Sequence, residues 1–225
     1  MTDPARFELF SYWRTSATYR VRVALNIKGI EALERNVDID AGEQLGDDFL
    51  KVNPLGAIPA LIDHAAAAPA ATLTQSLPIL EFLEELYPTP ALLPRGVHAR
   101  ARVRSLAAML ASDTHPLITP RVKRYLTQRG GFDADAWRAW QVQWFGTGLH
   151  ALEARLAADP ETGHFCQGDS ATMADICLAS IIVVMRVFKV EVEGIPTINR
   201  IMQRCEQIEA FAKADPRWQV GAPSV

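Results

Sequence analysis

The sequence predicts an α+β chain in two parts: a βαβ-α-ββα domain over 1–88, a linker over 89–97 and an all-α helical bundle over 98–225. Three observations carry this. Strand, helix and strand patterns follow one another within about forty residues near the start. The stretch PTPALLPRG then interrupts all periodicity with three prolines and a glycine. Beyond it almost everything repeats at helical spacing.

Phe7 to Tyr12 are apolar or aromatic apart from Glu8 and Ser11, as in a mostly buried strand. Tyr19, Val21, Val23, Ala24, Ile27 and Ile30 form the helical stripe that follows, and Arg14-Thr15-Ser16-Ala17-Thr18 lie between. Ser and Thr suit a helix start because their oxygens accept unpaired backbone N–H groups, while Lys28-Gly29 supplies a cation and a C-cap glycine. A helix over Ser16 to Lys28 follows. Two uses are open for Thr15 and Ser16. They cap the helix, or they donate to a thiolate, which a helix N-terminus stabilises. No cysteine stands in this stretch, so such a thiolate belongs to a ligand.

LERNVDI, 33–39, alternates as a second, edge strand, parallel to the first through a right-handed crossover. The polar stretch 40–48 reads as a loop with a short helix running on through Phe49-Leu50. In NPLGAIPALI, Pro59 precedes an apolar strand. A trans proline at a strand's first residue is the ordinary use; a cis Ile58-Pro59 bond would turn the N–H and C=O of Ile58 outward to pair with an extended peptide. The loop 63–71 joins this strand to the short strand Thr72 to Thr74 as a hairpin. Gln75 follows, then a helix with Ser76 as N-cap and Pro78 in its first turn. An N-terminus facing outward there suits a ligand carboxylate.

The second part reads as helices over 99–112, 117–129, 137–158, 173–187 and 198–214, with a break at His115-Pro116. Trp137, Trp140 and Trp144 fall on one helical face as a core stripe. Thr172 and Asp175 make a capping box, with Asp in place of the commoner Glu, opening a helix apolar on nearly every side.

Composition narrows the function classes. The chain has 225 residues, 49% hydrophobic, with a formal net charge of -3 and pI near 6.0, which argues against nucleic acid or an anionic membrane as the main partner. Its most apolar run, 176–184, is far short of a bilayer span, and residues 1–10 lack a signal peptide's apolar centre. A soluble cytoplasmic protein is expected. Cys166, Cys177 and Cys205 form no CxxC pair and the five histidines are scattered, so reduced core cysteines and no metal site are expected.

Four stretches, WRTSATYRVRVALNIKGI, FLKVNPLGAIPALI, QSLPILEFLEELYPTPALLP and GDSATMADICL, give the chain a resemblance to a known family. From Leu9 to about Ala214 it resembles the glutathione transferase superfamily, most closely its zeta class of maleylacetoacetate and maleylpyruvate isomerases. The resemblance implies a thioredoxin-like first domain, glutathione as cofactor and a homodimer. It sets Thr15, Ser16 and Ala17 on the family's Ser-Ser-Cys motif, with Thr15 in the place of the thiolate-activating serine, Ile58 and Pro59 on the cis-proline pair, Gln75 and Ser76 on the γ-glutamyl carboxylate site, and Gln44 at the glycyl end. Ala17 stands where relatives carry cysteine, and Ala57 replaces a side chain that is often glutamine. DTHPLITPRVKRYL is similar to the maleylpyruvate isomerases and implies substrate-side places for His115 and Arg121. Because guanidinium matches carboxylate geometry, Arg14 and Arg186 join Arg121 as candidates for holding the carboxylates of a diacid. Val187 occupies the place of a family arginine. The implied activity is glutathione-dependent cis–trans isomerisation of a maleyl-type diacid. A general transferase or a non-catalytic glutathione-binding module could be built on the same first domain.

Overall fold

The computed structural model describes residues 5–67 and 71–223, which fall into two compact units. One runs to Leu92 and takes in the chain again from Glu209; the other is Leu93–Ile208.

In the first unit β1 (Phe7–Ser11), β2 (Ala32–Asn36), β3 (Ala60–Asp63) and β4 (Thr72–Thr74) form one sheet in the order β2-β1-β3-β4. β1 and β2 are parallel, as expected of the βαβ unit; the β1–β3 and β3–β4 pairs are antiparallel. The middle of the expected hairpin loop, 68–70, lies outside the described residues. Alternate β1 residues Phe7, Leu9 and Ser11 are buried, the period-2 pattern of a strand with one face on the core.

α1 spans Ser16–Lys28 and ends at Gly29, whose φ of 66° is open to glycine without Cβ strain. A short 3₁₀ turn (Glu43–Leu45), α2 (Asp47–Val52) and α3 (Ser76–Leu86) complete this part. α1 packs on α3, burying Val21, Val23, Ile79, Leu80 and Leu83. Behind them the fully buried Lys28 ammonium donates to Glu84 at 2.6 Å and to the carbonyls of Tyr87 at 2.6 Å and Pro90 at 2.5 Å. Glu84 also accepts the Leu92 N–H at 2.8 Å. The first half of the expected linker is thereby fastened to the first unit.

The second unit holds α4 (Val97–Ala108), α5 (Pro120–Arg129), α6 (Ala134–Ala158), α7 (Met173–Val187) and α8 (Pro196–Glu206). α4 runs on into a π-helical turn, Met109–Thr114, and a 3₁₀ turn, His115–Ile118. Thr114 Oγ1 donates to Met109 O at 2.8 Å across the π turn. α6 comes so near that a Cβ on Gly148 would lie 2.1 Å from Thr114 Oγ1, so no larger residue fits without movement. α7 is buried along nearly its whole length, with Asp175 accepting from Thr172 N–H, Thr172 Oγ1 and Cys166 N–H at its head.

One expected helix divides. The run 198–214 becomes α8 and α9 (Glu209–Lys213), broken where the Gln207 and Ile208 N–H groups tighten onto Arg204 and Cys205. α9 belongs to the first unit rather than to the helical bundle of 98–225. Asn26 Nδ2 donates to Ala210 O at 3.0 Å, the Tyr19 hydroxyl to Phe211 O at 3.5 Å, and Phe211 is buried there. Helical periodicity marks an apolar face and is silent about which neighbour covers it.

Candidate active site

The sheet register gathers the first unit's candidate residues. Parallel pairing sends the C-terminal ends of β1 and β2 the same way, and the antiparallel pairs Phe10 with Ala60 and Ala60 with Thr74 put the start of β3 and the end of β4 beside them. Segments 12–16, 37–44, 57–59 and 75–76 therefore leave the sheet at one end. Residues far apart in sequence meet there because a pleated ladder transmits register across strands.

Thr15 has extended backbone geometry at the N-cap of α1, yet its hydroxyl makes no capping bond. Thr15 Oγ1 lies 2.6 Å from Thr18 Oγ1 and 3.3 Å from Tyr12 O. Thr15 is half-buried, whereas Ser16 is only 1% exposed. Of the two hydroxyls, a molecule at this end of the sheet can reach Thr15. The strand exit that carries it is held from beneath by Arg22, which is buried. Arg22 Nη2 donates to Ser11 Oγ at 3.1 Å and to Glu34 at 2.7 Å, and Nη1 to Trp13 O at 3.4 Å. Burial pushes the Glu34 carboxyl up, but the Arg22 hydrogen bonds and charge outweigh it and hold that carboxyl below its ordinary value.

Arg14 is engaged. Its Nη1 and Nη2 donate to Asp40 at 2.9 and 2.5 Å, and the Tyr12 hydroxyl donates to the same carboxylate at 2.8 Å. Burial, and then the Asp40 carboxylate, push the Tyr12 phenol up to about 12, so it stays a donor at neutral pH. Asp38 accepts the N–H groups of Asp40 and Ala41, which hold its carboxyl below the ordinary range. These bonds tie the loop leading to Gln44 onto the β1 exit.

Gln44 is buried at 6% exposure, with Nε2 3.4 Å from Ile39 O and Oε1 without a partner among the described residues. A buried acceptor left unpaired costs about 1–3 kcal/mol, so the position is arranged for something other than packing. Gly56, at φ 60°, lets the neighbouring turn approach: a Cβ there would stand 3.0 Å from Gln44 O. Asn53 shapes that turn, donating to Ala57 O at 2.6 Å and accepting the Leu55 N–H at 3.2 Å.

The Ile58-Pro59 bond is cis. Among the described residues neither backbone group of Ile58 enters the turn and loop hydrogen bonds, so both can pair with an extended peptide. Gln75 has φ 68° and ψ 122°, a conformation that costs a side-chain-bearing residue about 1–3 kcal/mol. It, rather than Ser76, is the N-cap of α3, and Ser76 is the first helical residue. The strained residue thus places an exposed amide side chain, which makes no capping bond, at the start of a helix. That is a place for an anion.

In the second unit the candidates sit on separate elements. His115 opens the 3₁₀ turn, half-buried, and Trp140 Nε1 anchors that turn by donating to Leu117 O at 2.7 Å. Trp140 packs edge-on against Trp144, whose buried Nε1 has no partner among the described residues. Arg121 is exposed in the first turn of α5. Arg186 pairs with Glu206 at 2.6 Å in the last turn of α7, where Arg138 caps the helix by donating to the carbonyls of Phe188 and Lys189. Thr18, Arg22, Asp40 and Asn53 were not singled out from the sequence. Arg22 and Asp40 act by reaching partners on other segments, Asn53 by closing its own turn, and the spacing of Thr18 from Thr15 is that of an N-capping contact and so hides the side-chain pair.

Comparison with known proteins finds relatives along the whole chain. Residues 5–85 match the family model "Glutathione S-transferase, N-terminal domain". A maleylpyruvate isomerase from Ralstonia sp is 39% identical over 94% of this chain and 98% of its own length, and a maleylacetoacetate isomerase from Rattus norvegicus is 36% identical over 96% and 95%. The crystal structure of maleylacetoacetate isomerase from Methylobacterium extorquens AM1, with bound malonate and glutathione, superposes with a TM-score of 0.92 at 44% identity, covering 96% of this chain and all of that one. A holo maleylpyruvate isomerase, described as a bacterial glutathione S-transferase of the zeta class, superposes with a TM-score of 0.90 at 38% identity over 96% and 100%. Similarity of this extent along both units means that the chain belongs to the glutathione S-transferase family, in its zeta class.

Proposed function

We propose that the chain is a glutathione-dependent cis–trans isomerase of a maleyl-type diacid, maleylacetoacetate or maleylpyruvate. The observation that carries this is the set of peptide-binding groups at one end of the sheet that have no partner among the described residues, in a chain whose relatives bear those names along their whole length. The groups fit glutathione chemically. The outward N–H and C=O of Ile58 pair with the tripeptide's backbone, and Gln75 with the α3 N-terminus takes its γ-glutamyl carboxylate. The unpartnered Oε1 of Gln44 accepts an amide N–H towards the glycyl end, and the Thr15 hydroxyl faces the sulfur.

Bound glutathione supplies a thiolate that adds reversibly to the double bond and leaves after rotation. The protein's part is to ionise that thiol and hold the diacid. A free thiol of pKa near 8.5 is mostly protonated at neutral pH, and a fall of about two units, worth about 2.7 kcal/mol, makes the thiolate dominant. The Thr15 hydroxyl and the α1 N-terminus are the groups available for this. Guanidinium groups match carboxylates in shape and charge, and Arg14, Arg121 and Arg186, with His115, are the side chains assigned to the diacid. Arg14 does so while clamped to Asp40, which fixes its direction. We further infer a cytoplasmic homodimer, for which sedimentation of the purified chain is the direct check.

Each diacid is offered to the enzyme with and without glutathione, and loss of the cis isomer is followed spectroscopically. Glutathione-dependent isomerisation of either supports the reading. Conjugation of a generic electrophile without isomerisation would favour a general transferase, and neither activity would leave a binding module.

A further inference from the structure

Thr18 is 0% exposed, and its hydroxyl has a single partner among the described residues, Thr15 Oγ1 at 2.6 Å. A buried hydroxyl keeps its proton in a hydrogen bond, because leaving the donor unmade costs about 1–3 kcal/mol. Two hydroxyls in contact hold one proton between them. If Thr15 donated, the Thr18 proton would have no acceptor among the described residues. If Thr18 donates, the Thr15 proton is left over, and the protein acceptor near it is Tyr12 O at 3.3 Å, well beyond the usual hydroxyl distance.

From this we propose that Thr18 donates to Thr15 Oγ1 and so leaves the Thr15 proton for the ligand's sulfur, making Thr18 a positioning residue for the thiol-activating hydroxyl. The inference rests on the glutathione reading above. Accepting a short hydrogen bond also polarises the Thr15 O–H and makes it a stronger donor. The geometry explains why Thr15 sits at the N-cap position without capping: its oxygen is held by Thr18, one turn on.

The test is the pKa of the bound thiol, read from the ultraviolet absorbance of thiolate as the glutathione complex is titrated. Thr18→Val keeps shape and removes the donor. It is expected to raise the bound thiol's pKa by roughly half to one unit, about a three- to tenfold fall in thiolate below that pKa. Thr18→Ser is expected to restore the parent value, and Thr18→Ala serves as a second donor-free variant should Thr18→Val fold poorly. Thr15→Val is the control and should raise the pKa further. A donor-free Thr18 variant that is folded, binds glutathione and keeps the parent thiol pKa overturns the proposal, as does failure of Thr18→Ser to restore it. If the parent protein binds no glutathione by calorimetry, the glutathione reading itself fails and the Thr18 role with it; if glutathione binds but Thr15→Val leaves the thiol pKa unmoved, the Thr18 role alone is overturned.

Discussion

Gly148→Ala tests the packing that shapes the turn before His115. A new methyl would lie 2.1 Å from Thr114 Oγ1, 2.9 Å from its Cγ2 and 3.0 Å from its Cβ. Thr114 is buried, short and β-branched, with its hydroxyl committed to Met109 O, so it cannot swing aside without losing that bond. Overpacking costs about 1–3 kcal/mol and the lost hydrogen bond about 1 kcal/mol. Replacing a mid-helix glycine by alanine returns about 1 kcal/mol. The net expectation is a loss of about 1–3 kcal/mol. In a Thr114→Ala background the obstructing Oγ1 and Cγ2 are gone and only the 3.0 Å approach to Cβ remains, so the same substitution should cost markedly less. Urea unfolding followed by tryptophan fluorescence reads the region directly, since Trp137, Trp140 and Trp144 share α6 with Gly148. Stabilisation by Gly148→Ala in the parent chain, or an equal effect in both backgrounds, would refute the steric argument.

Two further outcomes follow from buried charge. Lys28→Met strands Glu84 and should cost about 3–5 kcal/mol in the same unfolding experiment, with the double variant carrying Glu84→Gln recovering part of it; a loss under about 1 kcal/mol would show the pair to be dispensable. Arg6 donates to both oxygens of Asp63 and holds that carboxyl below its ordinary value of about 3.9. Its folded pKa is depressed, so the stability it contributes is complete above the unfolded pKa and disappears as pH falls through the folded one. Asp63→Asn should therefore flatten the acid arm of the stability curve below about pH 4, and parallel curves for the two proteins would contradict the linkage.

Much of the chain was legible because its signals are local. The limits of α1, from Ser16 to the cation and glycine at Lys28-Gly29, follow from capping chemistry within one turn of each end. The parallel β1–β2 pair, the β3–β4 hairpin and the Thr172–Asp175 capping box were likewise read from short patterns. The family motifs pointed to Thr15, Ile58 and Gln75 before the register brought them to one end of the sheet.

The sequence by itself determined the element order and the chemistry available at the start of α1. Tertiary structure decided the rest, because burial and partner choice are set by segments remote in the chain. It took α9 from the helical bundle and laid it on α1, turned Arg14 onto Asp40, and left Gln44 Oε1 without a partner among the described residues. An isolated X–Pro bond prefers trans by only about 0.5–1 kcal/mol, too little for local sequence to decide Ile58-Pro59. Thr15 shows the division most clearly: its position at the helix start was readable, but only the folded helix brings its hydroxyl 2.6 Å from that of the buried Thr18.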